Sequence, residues 1–332
     1  MDATKPLISI VIPVKNEAKR IPKLIEGLHK QTYRPLEVIF VDGDSTDETT
    51  RLITEAAQRL NNKDFTIKLL KEEDYGTLRS PANARNIGAL NATGKYIAFF
   101  DADFDLSHDE HAIEKIAKAF NEGAVHVAIK YTPNEHTWIE RNLALDDIIY
   151  YFNGDKPRHE LCCFAKELIT KNLFNPNLGF REDMEFLSRL GTVPVIVDTE
   201  VRRCYPHTVR DVRRQQLWYG RTWLNYMKIA SRKKRDVLVT ITRMNAIIGL
   251  LTLAILTAIL KYYILSPLFL LSAFGIIYYR WLRKDIKHGL RGPEILNRLC
   301  WLLFREVVGR LFFDIGVIQS LIHKGKVILG RE

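Results

Sequence analysis

Hydrophobic residues in the first third of the chain form short runs that alternate with amphipathic segments. The runs rich in β-branched and aromatic residues occupy residues 7–14, 36–42, 65–71 and 96–103. Helical patterns cover residues 18–31, 45–60 and 84–91 between and beside them. Ser45 and Glu48 predict a capping box at the start of the second helix. This alternation predicts a doubly wound sheet with ligand sites at the carboxyl ends of its parallel strands.

Two longer apolar stretches lie in the last third of the chain. Residues 246–260 and 264–279 contain no charged residue, and Lys261, Tyr262 and Tyr263 separate them. Each stretch is slightly shorter than the roughly 20 residues that span a bilayer, so flanking residues would complete the length. Basic residues at 232–235 and 280–287 predict a hairpin with both outer ends in the cytoplasm. Two buried helices of a soluble bundle would give a similar pattern.

The C-terminal segment, residues 296–323, mixes apolar stretches with charges. Arg298, Arg305, Arg310 and Asp314 would be costly on a helix that faces lipid. We therefore expect an interfacial amphipathic helix followed by a re-entrant or packed helix. A third span over residues 307–322 is the alternative, so the chain has two or three spans.

Charge is distributed unevenly along the 332 residues, whose length predicts more than one folded region. Residues 201–332 hold 24 Lys and Arg against 7 Asp and Glu, whereas residues 1–200 hold 25 against 32. The basic excess coincides with the apolar stretches, which favours anionic lipid over nucleic acid as a partner. The four cysteines have neither a disulfide nor a zinc-type spacing, so a reducing, cytoplasmic setting is expected.

Acidic residues follow the fourth predicted strand at alternate positions. In "FFDADFDLS", Asp101, Asp103 and Asp105 would point the same way on an extended chain. Carboxylates suit Mg²⁺ or Mn²⁺, and a metal held by one or two of them plus phosphate oxygens suits a nucleoside diphosphate. Asp42 also ends a predicted strand. A solvated acidic loop would give the same local pattern.

Four stretches in this order extend the pattern: "SIVIPVKNE", "VDGDSTDET", "ANARNIGALNATGKYIAFFDAD" and "GFREDMEFLSRLG". Across about residues 6–225 the chain thereby resembles inverting glycosyltransferases of family 2. The resemblance implies an α/β fold of the GT-A type, a Rossmann-like, doubly wound mixed sheet, followed here by transmembrane or interfacial helices. It also implies a nucleotide-sugar donor, UDP- or GDP-linked, and Mg²⁺ or Mn²⁺ as cofactor.

The resemblance also assigns roles to individual residues of the donor site. It places Pro13, Lys15, Glu17, Asp42 and Asp44 around the nucleoside. Asp101 and Asp103 would hold metal and diphosphate, and Asp105 occupies the position of a further metal ligand in related polyprenyl-phosphate mannosyltransferases. Arg79 and Arg85 would reach diphosphate oxygens, since a guanidinium matches them bidentately. Alternatively, Pro13 ends an edge strand, Asp42 and Asp44 belong to a turn, and Arg85 only supports its loop.

Glu182 and Asp183 lie in the first turn of a predicted amphipathic helix, where the helix dipole favours acids. By resemblance Asp183 is the catalytic base that takes the proton of the acceptor hydroxyl, and Glu182 contacts the acceptor. His207 would ligate the metal or contact phosphate, although a lone histidine is often structural. Residues 213–221 depart from the Gln-x-x-Arg-Trp motif of processive relatives, which favours transfer of a single sugar.

These observations predict a membrane-anchored, metal-dependent inverting glycosyltransferase. The predicted regions are a catalytic domain (1–210), a basic linker at the membrane surface (211–243), a transmembrane hairpin (244–281) and interfacial or membrane-packed helices (282–332). The expected acceptor is lipid-linked or otherwise held at the cell membrane, the catalytic domain is cytoplasmic, and the oligomeric state stays open. The alternatives are a polyprenyl-phosphate sugar synthase and a non-catalytic scaffold of the same fold.

Overall fold

The computed structural model describes residues 5–133, 135–149, 162–229 and 234–322. These residues form two compact units. The first contains residues 5–133, 135 and 162–205, and the second contains residues 136–149, 206–229 and 234–322. The basic residues at 232 and 233 and the C-terminal residues 323–332 lie outside the described ranges.

A mixed sheet of eight strands forms the centre of the first unit. The strands are β1 (Ile8–Val14), β2 (Leu36–Asp42), β3 (Phe65–Lys71), β4 (Tyr96–Phe99), β5 (Phe104–Asp105), β6 (His126–Pro133), β7 (Cys162–Ala165) and β8 (Val195–Arg203). Their order across the sheet is β3-β2-β1-β4-β7-β6-β8-β5. The first four of these are parallel, whereas β7 runs antiparallel to both β4 and β6. The carboxyl ends of β1 to β4 therefore meet at one edge, as the sequence predicted.

The helices include the three that the sequence predicted in the first third of the chain. They are α1 (Ile21–His29), α2 (Thr49–Leu60), α3 (Pro81–Asn91), α4 (Ala112–Asn121), α5 (Trp138–Asp147), α6 (Lys166–Lys171), α7 (Glu182–Leu190), α8 (Val209–Ile229), α9 (Lys234–Ile259), α10 (Leu265–Ile277), α11 (Arg283–Lys287), α12 (Pro293–Phe304) and α13 (Arg310–Ile322). A 3₁₀ turn covers Glu72–Tyr75, and π-helical turns cover Tyr278–Leu282 and Arg305–Gly309.

Strand β1 lies inside the sheet, so the alternative in which Pro13 ends an edge strand is wrong. Proline is nevertheless tolerated there, because the ladder between β1 and β4 stops at Val11 and Pro13 lies beyond it. Helix α3 packs closely on the same strand: a Cβ built at Gly88 would collide with Val11. The C-terminal half of β1 and helix α3 are thus fixed to the centre of the sheet.

The predicted capping box at the second helix is also wrong. Helix α2 begins at Thr49, and its cap residue, Glu48, makes no side-chain capping bond. Asp47 accepts instead from the Thr49 backbone N–H at 3.0 Å. Ser45 Oγ accepts from the Asn16 N–H at 2.9 Å, so it joins the loops after β1 and β2. Local spacing suggested a helix cap, but contacts with the neighbouring loop determine this geometry.

An aromatic cluster beneath the sheet positions helix α7. Phe186 is stacked on Phe174 with ring centroids 4.0 Å apart and meets Phe164 edge-on at 5.7 Å. Asn86 of α3 donates to the Phe174 carbonyl oxygen and accepts from the Phe174 N–H, both at 2.9 Å. Helix α7 therefore packs against Phe174, which two hydrogen bonds attach to α3.

The second unit is helical and contains a buried ionic cluster. Arg298 of α12 has no exposed surface, and its Nε donates to Asp285 at 2.8 Å. Arg298 also binds Asp146 of α5, which accepts from Trp301 Nε1 and from Arg305, each at 3.1 Å. Both carboxylates of this cluster are engaged from inside the unit.

Two helical segments of this unit, Val239–Ile259 and Leu265–Lys287, are long and apolar enough to cross a membrane. In the most apolar 18-residue stretch of each segment, only 11% and 17% of the residues, respectively, are buried. The core helices of a soluble bundle would be mostly buried. Tyr263 and Ile264, in the turn between the two segments, are among the most exposed apolar side chains of the second unit.

Helices α8 and α13 approach each other closely at two glycines. A Cβ built at Gly220 would collide with the Phe313 carbonyl oxygen, and one at Gly316 would collide with the Leu217 carbonyl oxygen. Each glycine thus meets the backbone of the opposite helix. Any larger residue at either position would force the two helices apart.

Candidate functional site

The candidate site begins where the parallel strands end. Asp42 is the last residue of β2, and Asp101 follows β4 by two residues. Arg85 of α3 joins this edge to helix α7: one of its terminal nitrogens lies 2.7 Å from Asp101 Oδ1 and the other 2.7 Å from Glu182 Oε1. The structure therefore brings together three of the predicted site residues, although they are up to 97 residues apart in sequence.

Burial and charge shape the electrostatics of this bridge. Burial disfavours the charged form of Arg85, but Asp101, Glu182 and Asp183 more than compensate, so the pKa of Arg85 lies above its ordinary value. Burial raises the pKa of Glu182 to about 7, although Arg85 beside it favours the ionised form. Arg85 is therefore a stable cation between two acids. The two acids differ in exposure, since Glu182 is buried and the Asp101 side chain is 34% exposed.

Asp183 lies beside this bridge in the first turn of α7, as the sequence predicted. Its side chain is half-buried, and Oδ1 accepts from the Met184 N–H at 2.7 Å. Arg181, immediately before the helix, has a φ of 59°, so the chain turns sharply as it enters α7. This turn places two successive carboxylates at the helix N-terminus.

The expectation of one extended acidic segment is wrong. Residues 101–104 form a turn in which the Phe104 N–H donates to the Asp101 carbonyl oxygen at 3.3 Å. Asp103 lies 3.8 Å from Arg203 Nε. Asp105 is buried on β5, with Oδ2 2.7 Å from Lys23 Nζ, and Lys23 and Ser107 hold its pKa below the usual range despite burial. Its role as a metal ligand stays a prediction.

The predicted nucleoside residues lie on adjacent loops of the same edge. Asp42 Oδ2 accepts from the Ser45 N–H at 3.0 Å, while among the described residues nothing donates to its buried Oδ1. Asp44 is exposed, has a φ of 64° and binds Arg79 Nε at 2.6 Å. Glu17 Oε2 lies 2.6 Å from Arg20 Nη1. Pro13 pairs with Val41 one position before the end of the β1–β2 ladder, and Lys15 is half-buried beyond that end.

His207 belongs to the second unit and has a carboxylate partner there. Its Nδ1 lies 2.7 Å from Oε1 of Glu140, a fully buried residue of α5. The other oxygen of Glu140 accepts from the Thr137 N–H as part of a capping box. This contact agrees with the structural alternative for His207, and metal ligation by His207 stays a prediction.

Sequence reasoning missed Glu72 at the same edge. It directly follows β3, just as Asp42 ends β2, so the strand-end rule would have found it had it been applied to the third strand. Glu72 is buried and accepts from Asn83 Nδ2 at 2.8 Å and from the Ser80 N–H at 3.3 Å. It therefore lies behind the loop that carries Arg79.

The chemistry of the acidic edge fits a divalent cation. Asp101 and Asp103 offer carboxylate oxygens, the ligands that Mg²⁺ and Mn²⁺ prefer. Within the described ranges no group of three or more His, Cys, Asp or Glu residues forms a preassembled metal site. A cation held by these two carboxylates would therefore take further ligands from phosphate, as is common for Mg²⁺.

Comparison with known proteins agrees with the fold and the strand-end motifs. The family described as "Glycosyl transferase family 2" matches residues 9–171. Glycosyltransferase GlyG of Streptococcus pneumoniae is 33% identical over 188 residues, which are 57% of this chain and 54% of that protein. The GalNAc(5)-diNAcBac-PP-undecaprenol beta-1,3-glucosyltransferase of Campylobacter jejuni is 29% identical over 122 residues, which are 37% of each chain. The alignments thus span about half or less of these curated relatives.

The likeness extends to a solved structure. The mannosyltransferase PcManGT from Pyrobaculum calidifontis, solved in complex with GDP-Man and Mn²⁺, has a TM-score of 0.54 and 17% identity. The comparison covers 97% of this chain and 89% of that one, so it supports the fold. Residues 9–171 thus match a family 2 glycosyltransferase domain, and the described structure has a GT-A-like fold.

Proposed function

We propose that this chain is a membrane-anchored, metal-dependent inverting glycosyltransferase that moves one sugar from a nucleotide-sugar donor to a lipid-linked or otherwise membrane-held acceptor. The observation that carries the proposal is the contact of Arg85 with both Asp101 and Glu182. It connects the strand end proposed for the diphosphate with the helix start that carries the proposed base. Donor and acceptor chemistry would thus share one rigid support.

Asp183 is the proposed base. In an inverting transfer its carboxylate accepts the proton of the acceptor hydroxyl while that oxygen bonds to the anomeric carbon. The bond between the anomeric carbon and the phosphate oxygen breaks, and the nucleoside diphosphate leaves with the electron pair. Glu182 holds Arg85 and contacts the acceptor. The half-buried position of Asp183 supports this division, because Glu182 is buried against the arginine.

Asp101 and Asp103 are the proposed holders of Mg²⁺ or Mn²⁺, with Asp105 and His207 as further candidates. Such an ion neutralises the charge that develops on the departing diphosphate. Arg79 lies on the loop before α3, so its guanidinium is available to the same phosphates if it exchanges Asp44 for them. Pro13, Lys15, Glu17, Asp42 and Asp44 would surround the nucleoside.

Membrane attachment is supported by the two apolar helical segments of the second unit. Their exposed side chains would face lipid, and the basic residues at 280–287 would stay on the cytoplasmic side. The Campylobacter relative acts, by its name, on an undecaprenol-linked substrate, which supports a lipid-linked acceptor here. The donor is expected to be UDP- or GDP-linked.

Replacement of the proposed base is the decisive test. We expect Asp183→Asn to leave donor affinity near wild type but to lower the single-turnover rate by about 10²-fold or more, the scale of losing general-base catalysis. The assay uses a panel of nucleotide sugars with extracted membrane lipids. Glu185→Gln, an acid of the same first turn that binds Arg189, is the matched control. An unchanged rate for Asp183→Asn would reject this role.

The metal and the membrane attachment need separate measurements. Excess chelator should abolish transfer, and Asp103→Ala should weaken metal-dependent donor binding. The full chain should remain in the membrane after carbonate extraction. Transfer at the full rate in chelator would contradict the metal requirement. Release of the chain by carbonate would contradict the membrane spans but not the proposed transfer reaction.

A further inference from the structure

Buried carboxylates of the first unit differ in whether a cation accompanies them. Four have a lysine or arginine nitrogen within 2.7 Å: Glu37, Asp105, Asp109 and Glu182. Asp42 and Glu72 are 4% and 2% exposed, yet within the described part of the chain neither forms an ion pair. Both border Gly43. An uncompensated buried carboxyl is costly when ionised, so two of them at one point of the fold require an explanation.

Glu72 connects two loops through its carboxyl group. Its Oε1 accepts from Asn83 Nδ2 and the Ser80 N–H, at the N-terminus of α3. A Cβ built at Gly43 would lie only 3.0 Å from its Oε2, so the absence of a side chain at Gly43 makes room for the carboxyl. The loop after β2 and the start of α3 are thus held against the same group.

Each of these loops carries one member of the Asp44–Arg79 pair. Asp44 follows Gly43, Arg79 precedes Ser80, and Asp44 Oδ2 lies 2.6 Å from Arg79 Nε. Glu72 therefore supports this pair from the protein interior. An additional negative charge at Glu72 would compete with Asp44 for the guanidinium and repel an anionic ligand that approaches it.

We propose that Glu72 is a proton-linked positioning residue of the donor site, which holds the Asp44–Arg79 pair in place as a neutral carboxyl and opposes binding of the anionic donor when it loses its proton. This inference rests on the proposed function. Other charged groups border the carboxyl or its segment: Asp42 and Lys15 on either side of Gly43, Asp44, Arg79, and Lys71, Glu73 and Asp74 on its own segment.

The energetics agree with this geometry. Burial raises the pKa of Glu72 to about 7, while the hydrogen bonds from Asn83 and Ser80 and the charge of Arg79 oppose the rise. Since the folded protein holds this proton more tightly than the unfolded chain, the group favours folding at low pH, and that advantage is lost as pH rises toward about 7. A bound anion should raise the pKa further, so donor binding near neutral pH should take up a proton.

The test compares Glu72→Gln with Glu73→Gln, which removes a neighbouring exposed carboxylate that binds Lys71. Calorimetric titration with UDP-glucose and with GDP-mannose, at fixed Mg²⁺ in buffers of different ionisation enthalpy, measures affinity and proton uptake. In wild type and Glu73→Gln, affinity for the nucleotide that binds should fall by up to about ten-fold per pH unit above pH 7, with proton uptake. In Glu72→Gln, affinity should stay near the low-pH value of wild type without uptake.

The pH dependence of Tm, measured without nucleotide, tests the titration of Glu72 independently of the proposed function. The Tm of wild type and of Glu73→Gln should decline relative to Glu72→Gln as pH rises from about 5 to about 8. Equal pH dependence of Tm in Glu72→Gln and wild type would overturn the proposal, as would an unchanged proton uptake in Glu72→Gln. If neither nucleotide binds at any pH, the proposed donor class fails, and the Tm comparison still decides whether Glu72 titrates as inferred.

Discussion

Each unit of this protein contains a buried arginine that contacts two acids, but only one of these clusters is open to a ligand. Arg298 and Asp285 have no exposed surface, and both oxygens of Asp146 accept hydrogen bonds from the same unit. Around Arg85, the Asp101 side chain is 34% exposed, and only its Oδ1 contacts the arginine. The same residue types thus form a closed structural cluster in one unit and a candidate reaction site in the other.

The two clusters differ in how many acceptor positions of their carboxylates are left unused by hydrogen bonds within the protein. A carboxylate has about four acceptor positions, and a cluster that uses them internally cannot bind metal or phosphate without breaking existing bonds. The cluster around Arg85 leaves such positions open because Asp101 stands on the loop after β4, whereas Asp146 and Asp285 around Arg298 lie within helices. Remaining acceptor capacity, rather than the presence of an ion pair, therefore distinguishes a candidate site from a scaffold.

The largest expected effect comes from breaking the closed cluster. Arg298→Met would leave Asp146 and Asp285 buried with less positive charge, which should cost about 3–5 kcal/mol of the free energy of unfolding. Donor affinity per folded molecule should not change. Denaturant unfolding of the purified chain in detergent measures this loss. Arg291→Met, at an exposed basic position, is the control, and equal stability of the two variants would contradict the closed cluster.

The open cluster should respond in activity more than in stability. Arg85→Met should lower the transfer rate by about 10²-fold, because Asp101 and the start of α7 lose their common support. Arg85→Lys should recover only part of the rate, since a single ammonium group cannot reproduce a forked contact to two carboxylates. Kinetics and unfolding are measured on the same preparations. A loss of stability with a normal rate per folded molecule would make Arg85 a scaffold residue like Arg298.

A smaller effect on stability is expected at the close contact between helices α8 and α13. Gly220→Ala should lower the free energy of unfolding by about 1–3 kcal/mol, the usual range for overpacking, because the added methyl group meets the Phe313 carbonyl oxygen. Gly249→Ala in α9 has no atom within 4 Å of the new Cβ and should be neutral or slightly stabilising. Thermal unfolding separates the two variants, and similar Tm values would show that the α8–α13 crossing tolerates a side chain.

Much of the architecture of the candidate site could be predicted, because strand ends and helix starts leave local signals. Asp42 and Asp101 end or follow β-branched runs, and Glu182 begins an amphipathic helix, so their positions follow from periodicity. The bridge by Arg85 could not be predicted in the same way, since its partners lie 16 and 97 residues away. The incorrect expectations at Ser45 and along residues 101–105 share one cause: local spacing was interpreted without the tertiary contacts that bend those segments.

The burial of Asp285 changes the surface that the chain presents beside its apolar helices. Asp285 is the one acidic residue between Arg280 and Arg291, and its carboxylate faces Arg298 in the interior. Arg283, Lys284, Lys287 and Arg291 are exposed. Because the acid is withdrawn while these bases stay at the surface, the local electrostatic potential toward solvent is more positive than a residue count implies. Anionic headgroups at the end of the apolar helices would meet four basic side chains there and no opposing carboxylate from this segment.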